Sequence, residues 1–511
     1  MFIHEAAKKW PGAIISDLCL EFIFIIFYTI PMDIFERCAL KTPDILLPNK
    51  TVDLTAWSVI ACDQYTQDTD YWSKVAAVAK DRYSTLHMIL PEVYLNTISD
   101  EQRKQEIVKI QKTMKDYLAT GVFAEPIHSM LYIERKTAYN RLRKGIITCI
   151  DLEKYDWRPD SKAEIRATEA TIVERLPPRM EIRQGAVLEM PHIMLLVDDP
   201  ERMLIEQIGA SIYSSQVMPL YTTQLMLNSG SISGWSIPAD CSAYMEKALE
   251  KLYSANTDAD GSVFMFAVGD GNHSLATAKA VWDAYKREHG GMQQANSSIS
   301  LPADLGNNPL RYALVEIVNL YDSGLTFEPI HRVIFGADTK QLISFLQSKL
   351  GGKVIACSDK AALLQKVEHS SASFGFIAAT GDLTCLETDM TCLAVSALQP
   401  LLDDFIKTHN LQIDYIHGSD EAFRIPQYDD AVSILLPPIS KESFFSTIAE
   451  SGSLPRKSFS MGEASEKRFY LECRTDQILL PFRLHCQVGR YRTRHHRANT
   501  DFLCLLRSSL P

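Results

Sequence analysis

The sequence predicts an α+β protein: a mixed-sheet N-terminal lobe containing a strand–Asp-Gly-Asn-His–helix corner, followed by a C-terminal α/β lobe. Three observations carry this. The apolar run "VFMFAVG" at 263–269 stops at Asp270, and helical spacing of Leu275, Ala278, Val281, Trp282 and Tyr285 follows. The stretch "HSMLYIERKTAYNRLRKGIITCIDLEKYDW" at 128–157 reads as two strands joined by the turn "RLRKG", with Gly145 relaxing the turn. From about residue 338, helical and strand patterns alternate.

Taken in order, "LTAWSVIAC" at 54–62 reads as a strand opening into the polar loop "DQYTQDTDYW". Residues 100–119 form the clearest helix, with Ile107, Ile110 and Met114 on one face. "EIRATEATIVERL" at 164–176 suits a helix stopped by Pro177-Pro178. "GAVLEMPHIMLLVDDP" is a strand with an acidic turn, and 287–308 is a polar surface loop. Strand, turn and strand follow across 310–335. Helices at 340–350, 360–368, 395–409 and 440–451 then alternate with strands at 353–357, 373–379 and 431–436. That alternation fits α/β or α+β and is taken as α/β. The organisation expected is an atypical extension at 1–31, the two lobes at 32–337 and 338–473, and an atypical tail at 474–511.

The two ends differ in composition from the body. The stretch "FIFIIFYTIP" at 22–31 is apolar but far short of the roughly 20 residues a spanning helix needs. Met32 reads as the functional start. The tail carries seven arginines and no lysine against two aspartates, within a chain of net charge −11. The body is therefore strongly acidic, which disfavours nucleic acid and anionic membranes as partners. Eleven cysteines without a CxxC pair read as reduced thiols of a cytoplasmic protein.

The chemistry concentrates at 270–274. Gly271 permits a backbone angle that other residues resist and lets a ligand approach closely. Asn272 or Asp270 would cap the helix. The helix N-terminus is a ready anion site, above all for phosphate. His273 can donate to a phosphate oxygen or move a proton, Asp270 can hold Mg²⁺, and Ser274 lies in the same turn. Elsewhere, Arg175 and Arg179 flank the two prolines, and His331 and Arg332 open an apolar strand. "LPRKSFSMG" offers Arg456, Lys457 and Ser458 in an anion-suited loop. Asp63, Gln64 and Tyr65 follow a strand and could line the same pocket. The alternative for the corner is a well-capped turn, and for His192 a satisfied core histidine.

Five segments in order resemble the domain-of-unknown-function family 1015: "GIITCIDLEKYDW", "IRATEATIVERLPPRMEIR", "VGDGNHSLATAKA", "YDSGLTFEPIHRVIF" and "SGSLPRKSFSMGEASEKRFYLE". The resemblance covers about 32–473 and places Glu169 and Thr171 on shared positions. More distantly, the Asp-Gly-x-His corner is similar to that of free-serine kinases and the ParB-like nucleotide-binding superfamily. There such a corner holds nucleotide phosphates and a glutamate elsewhere acts as base. The resemblance implies a phosphotransferase using Mg²⁺ with ATP, ADP or CTP on a small hydroxyl compound such as free serine. Glu169 would be the base, with Asp270 and His273 catalytic. Gly271, Asn272, Ser274, Arg175, Arg179, Arg332 and Lys457 would bind phosphate. Asn272 and Ser274 depart from the usual His and Arg, so a cation is lost at the corner. The alternative is a nucleotide-binding sensor that does no chemistry.

Overall fold

A computed structural model describes residues 33–476, apart from 96, 172, 174, 175, 290–302, 428 and 456. The extension at 1–31, the central part of the 287–308 loop, Arg175, Arg456 and the tail beyond 476 lie outside the described residues. Among the described residues, no helix is long and apolar enough to cross a membrane.

The first sheet has ten strands. In spatial order its main path runs Tyr221–Gln224, Ser231–Ser236, Leu131–Lys136, Leu142–Asp151, Tyr312–Asn319, Met194–Val197, Phe266–Asp270, Ile165–Ala167 and Tyr155–Asp156. It is mixed. Phe266–Asp270 runs parallel to Ile165–Ala167 and antiparallel to Met194–Val197. Successive side chains point to opposite faces of a strand, and both faces are covered. Tyr132, Ile146 and Val268 join a core with Trp282 and the helices Ile205–Ser214 and Ser242–Ala255. Leu131, Ile133 and Ile147 face a second core containing Trp57, Trp72, Ile110 and Met114.

The helix expected at 100–119 spans Asp100–Ala119 and starts at a capping box made by Ser99 and Gln102. Three local expectations are corrected. The chain at 54–57 is a short helix capped by Asp53, and the strand is only Val59–Ile60. Gly145 sits inside the strand Leu142–Asp151, opposite Val318, where a Cβ would come within 2.9 Å of Glu316 Oε1. It makes room for a buried carboxylate and has no part in the turn. Residues 165–167 are a strand, and the helix Leu176–Arg183 begins where the prolines stand. Proline fits the first helical turn, where a backbone N–H has no partner to lose.

The second sheet has seven strands, with the main path Lys353–Cys357, Leu383–Glu387, Ser373–Ile377, Ala431–Leu435, Phe327–Phe335 and Gln412–His417. Phe459–Met461 adds to the first part of Phe327–Phe335. All of its pairings are antiparallel, so this lobe is of the α+β kind. The reason lies in two strands the pattern did not announce, Leu383–Glu387 and Gln412–His417. They turn apparent crossovers into hairpins and returns.

After Phe459–Met461 the chain leaves this sheet. Phe469–Tyr470 pairs with Val59–Ile60, and Arg474–Thr475 with Leu188–Glu189. Arg474 donates to Glu189 Oε2 at 2.6 Å and is buried. Residues 474–476, assigned to the tail by composition, are therefore part of the fold.

Burial also sets an acid limit. His331 is 6% exposed and its Nδ1 accepts the Leu436 N–H at 3.2 Å. Burial, then the neighbouring Arg332 and His417, push it down to about 4. A folded-state value below the free value of ~6.5 means that its stabilising effect is complete above ~6.5 and fades as the pH falls toward 4. The loss is of the order of 3 kcal/mol at the acid end. Urea midpoints measured across that window should fall with acidification. His331→Asn keeps an acceptor for Leu436 and should flatten the slope. His417, also pushed down to about 4, leaves a remainder. An unchanged slope would remove His331 from the account.

Candidate functional site

Asp270 closes the strand Phe266–Asp270, and the eighteen-residue helix Asn272–His289 starts two positions later. Gly271 between them has φ +80°, and a Cβ there would lie 3.1 Å from Ile193 Cα. Both the backbone angle and the space call for glycine. Its N–H donates to Asp270 Oδ1 at 3.0 Å, and its carbonyl accepts the Leu275 N–H.

The Asn272 side chain does not work as the expected cap. Its Oδ1 accepts the Thr168 N–H at 3.2 Å and its Nδ2 donates to Thr168 Oγ1 at 3.3 Å. Thr168 Oγ1 in turn donates to the Val268 carbonyl. The end of the Ile165–Ala167 strand is thereby tied to the corner. The parallel register ends with Ala167 opposite Val268, two residues before Glu169 and Asp270, and the Asp270 charge acts on the Glu169 carboxyl. Asp270 ends one of two adjacent parallel strands just before the helix N-terminus, and Glu169 follows the end of the other by two residues. Ligands of open α/β sheets bind at such strand ends.

The return segment 454–470 supplies the rest. Leu454 bridges to Glu169, and the Ser458 N–H donates to Glu169 Oε1 at 3.2 Å. Burial pushes the Glu169 carboxyl up, and the Asp270 charge adds to this. The Ser458 and Lys457 N–H groups and the Lys457 charge oppose it. Lys457 is exposed and holds a left-handed φ of 59°. Lys467 Nζ lies 3.3 Å from Asp270 Oδ2. Both lysines act on His417.

The structure thus brings together Glu169, Asp270, Gly271, Asn272 and Lys457. Arg332 is wholly buried. It donates to the Ile330 carbonyl and to Gln399 Oε1 and stacks on Tyr415 at 5.0 Å, and the Glu169 charge acts on it. Its Nη2 has no hydrogen-bond partner among the described residues. His273 stands in the first helical turn, half-buried, with its carbonyl accepting from Thr277.

Ser274 and Arg179 are placed elsewhere. Ser274 Oγ is 2.5 Å from His192 Nε2, and His192 Nδ1 is 3.0 Å from the Tyr470 hydroxyl. Arg179 pairs with Glu92. Asp63 Oδ2 lies 4.0 Å from His192 Nε2. Arg166, three residues before Glu169, turns away, donating to the Ala163 carbonyl and stacking over Phe264 at 4.4 Å.

Lys467, Thr168, His192 and Tyr470 were not picked out as a site by sequence reasoning. The signal for Lys467 and Tyr470 lay in "SEKRFYLE", where charge and aromatic residues stand together, but nothing local says what they face. Among the described residues, no group of three or more His, Cys, Asp or Glu side chains could hold a metal ion.

The family model described as "Protein of unknown function (DUF1015)" matches residues 46–405. The chain belongs to the DUF1015 family. No curated protein matches it. Among solved structures, a conserved hypothetical protein from Pyrococcus furiosus is similar at TM-score 0.31 and 13% identity, covering 64% of this chain and 90% of its own. Free serine kinase in complex with AMP is similar at TM-score 0.34 and 10% identity, with coverage of 64% and 90%. SbnI with a C-terminal truncation, from Staphylococcus aureus, is similar at TM-score 0.31 and 8% identity, covering 62% and 82%. At these scores the likenesses assign no activity to this DUF1015 chain.

Proposed function

We propose that this protein is a nucleotide-dependent phosphotransferase acting on a small hydroxyl compound, with free serine as the first acceptor to test. The observation that supports the reading best is that Glu169 and Asp270 follow two parallel strands closely enough for their charges to interact, with the Lys457 charge acting on Glu169 and Lys467 on Asp270, at the start of a long helix. Phosphoryl transfer depends mostly on positioning and on cations that offset charge. Lys467 replaces the cation missing at Ser274.

In this reading Glu169 takes the proton from the acceptor hydroxyl. The acceptor oxygen forms a bond to the terminal phosphorus as the bond to the bridging oxygen breaks. The nucleotide leaves one phosphoryl group shorter. A carboxyl raised by burial is a stronger base, which suits proton abstraction. The first-turn N–H groups and His273 hold the phosphate, and Lys457, with Arg332, offsets charge. Mg²⁺ takes one or two carboxylates together with substrate phosphates. Asp270 fits that donor set, leaving Glu169 free as the base, and the ion when bound would neutralise phosphate charge.

The test is phosphorus NMR of the protein with Mg²⁺, free serine and ATP, ADP or CTP in turn. A new phosphomonoester resonance that requires serine is the expected result. Nucleotide lines that broaden without converting, with serine and with other small alcohols, would favour a nucleotide sensor. Sharp, unchanged lines in every mixture would overturn the nucleotide site itself.

A further inference from the structure

Ser274 and Thr277 line a cavity of about 150 Å³ whose wall includes neither Glu169 nor Asp270. Most of its wall is apolar, with Met88, Leu95, Met114, Ile182 and Met190 contributing. A cavity of this size accommodates a molecule of about six carbon atoms, comparable to benzene.

The charged groups in the wall are matched to one another. Glu92 pairs with Arg179, Glu189 takes Arg183 at 2.5 Å and Arg474 at 2.6 Å, and Asp476 takes Arg474 at 3.1 Å. An ion entering this space would be desolvated without a counter-charge, which is costly. A neutral occupant meets no such penalty.

The neutral polar point is the Ser274–His192 pair. A serine hydroxyl carries one donor and two acceptor sites, and the contact with His192 uses one of them. If His192 accepts, Ser274 keeps acceptor sites. If His192 donates, Ser274 also keeps its O–H. A ligand hydroxyl, both donor and acceptor, satisfies either arrangement. Tyr470 fixes the imidazole from the other side, with its own hydroxyl receiving the Cys62 N–H at 3.1 Å.

We propose that this cavity is a binding site for a small neutral alcohol with an apolar body of about six carbon atoms, its hydroxyl bonded to Ser274. The proposal goes beyond phosphoryl transfer and does not rest on it.

Cyclohexanol is a suitable probe, read by NMR of ¹³C-methyl-methionine protein without nucleotide. The methyl signals of Met88, Met114 and Met190 should shift together on titration, while Met245, in the core on the opposite face of the sheet, stays put. Cyclohexanecarboxylate and cyclohexylammonium should bind far more weakly. Ser274→Ala should weaken cyclohexanol about fivefold, the equivalent of one ordinary hydrogen bond, yet leave benzene binding unchanged. Retained benzene binding also reports that the variant is folded. Three methyl signals that stay still up to the solubility limit would overturn the site. Equal binding of the charged analogues would overturn the neutral class, and equal loss of both probes in Ser274→Ala would overturn the hydroxyl contact.

Discussion

Glu169→Gln is expected to lower phosphoryl transfer by a factor of about 10²–10⁴, the usual contribution of a positioned general base. Nucleotide affinity should be preserved, because the amide keeps an acceptor for the Ser458 N–H and the corner keeps Asp270 and Lys467. Single-turnover phosphorus NMR measures the first quantity, and titration of nucleotide resonances the second. Loss of turnover with binding intact separates Glu169 from the phosphate-holding groups. Full activity in the variant would remove Glu169 as the base while leaving the nucleotide question open. The pH profile adds a check with a definite sign. Burial raises the Glu169 carboxyl, so the working ionised form is present above that raised value and is lost on acidification. The acid limb of the rate should therefore lie above the ordinary glutamate range.

The largest effect on stability is expected from Glu316→Gln. Glu316 is fully buried at the centre of the first sheet. Its Oε1 accepts from Arg143 Nε at 3.1 Å, and its Oε2 lies 3.5 Å from Arg468 Nε. Arg143 also donates to the Glu466 carbonyl, and Arg468 pairs with Glu472, which accepts from Tyr221. Removing one charge from a buried pair costs about 3–5 kcal/mol, because the partner stays buried and unpaired. The urea midpoint should fall with an unchanged slope. Replacing Glu316 and Arg143 together by leucine should recover much of the loss, since a well-packed apolar pair avoids desolvation. A loss below about 1 kcal/mol in the single variant would show that water reaches these arginines.

Where the amino-acid pattern was legible, the reason was local. The Asp100–Ala119 helix declares itself through period and a capping box. The helices Thr339–Leu350 and Lys360–Glu368 begin at Asp338 and Asp359, whose side chains accept N–H groups of the first turn. Gly271 is readable because only glycine takes a positive φ freely. The errors were also local in origin. "EIRATEATIV" has helical spacing, but strand pairing with Phe266–Asp270 overrides it at 165–167. Gln412–His417 lacks a clear apolar alternation because it lies at the edge of its sheet, with exposed positions that need no pattern.

By itself, the order of residues determined the α+β class, the acidic body, the family segments and the Asp-Gly-Asn-His stretch between strand and helix. Each depends on composition or on neighbours within one or two turns. Only the tertiary structure decided what surrounds that stretch. Parallel pairing of Ile165–Ala167 with Phe266–Val268 brings Glu169 within reach of the Asp270 charge across about a hundred residues, and the return segment brings Lys467 to Asp270 and Tyr470 to His192 from nearly two hundred and three hundred residues away. It also turned Ser274 toward His192 and an apolar cavity. Such contacts are set by which strands pair and which faces are buried together, and no local period records them.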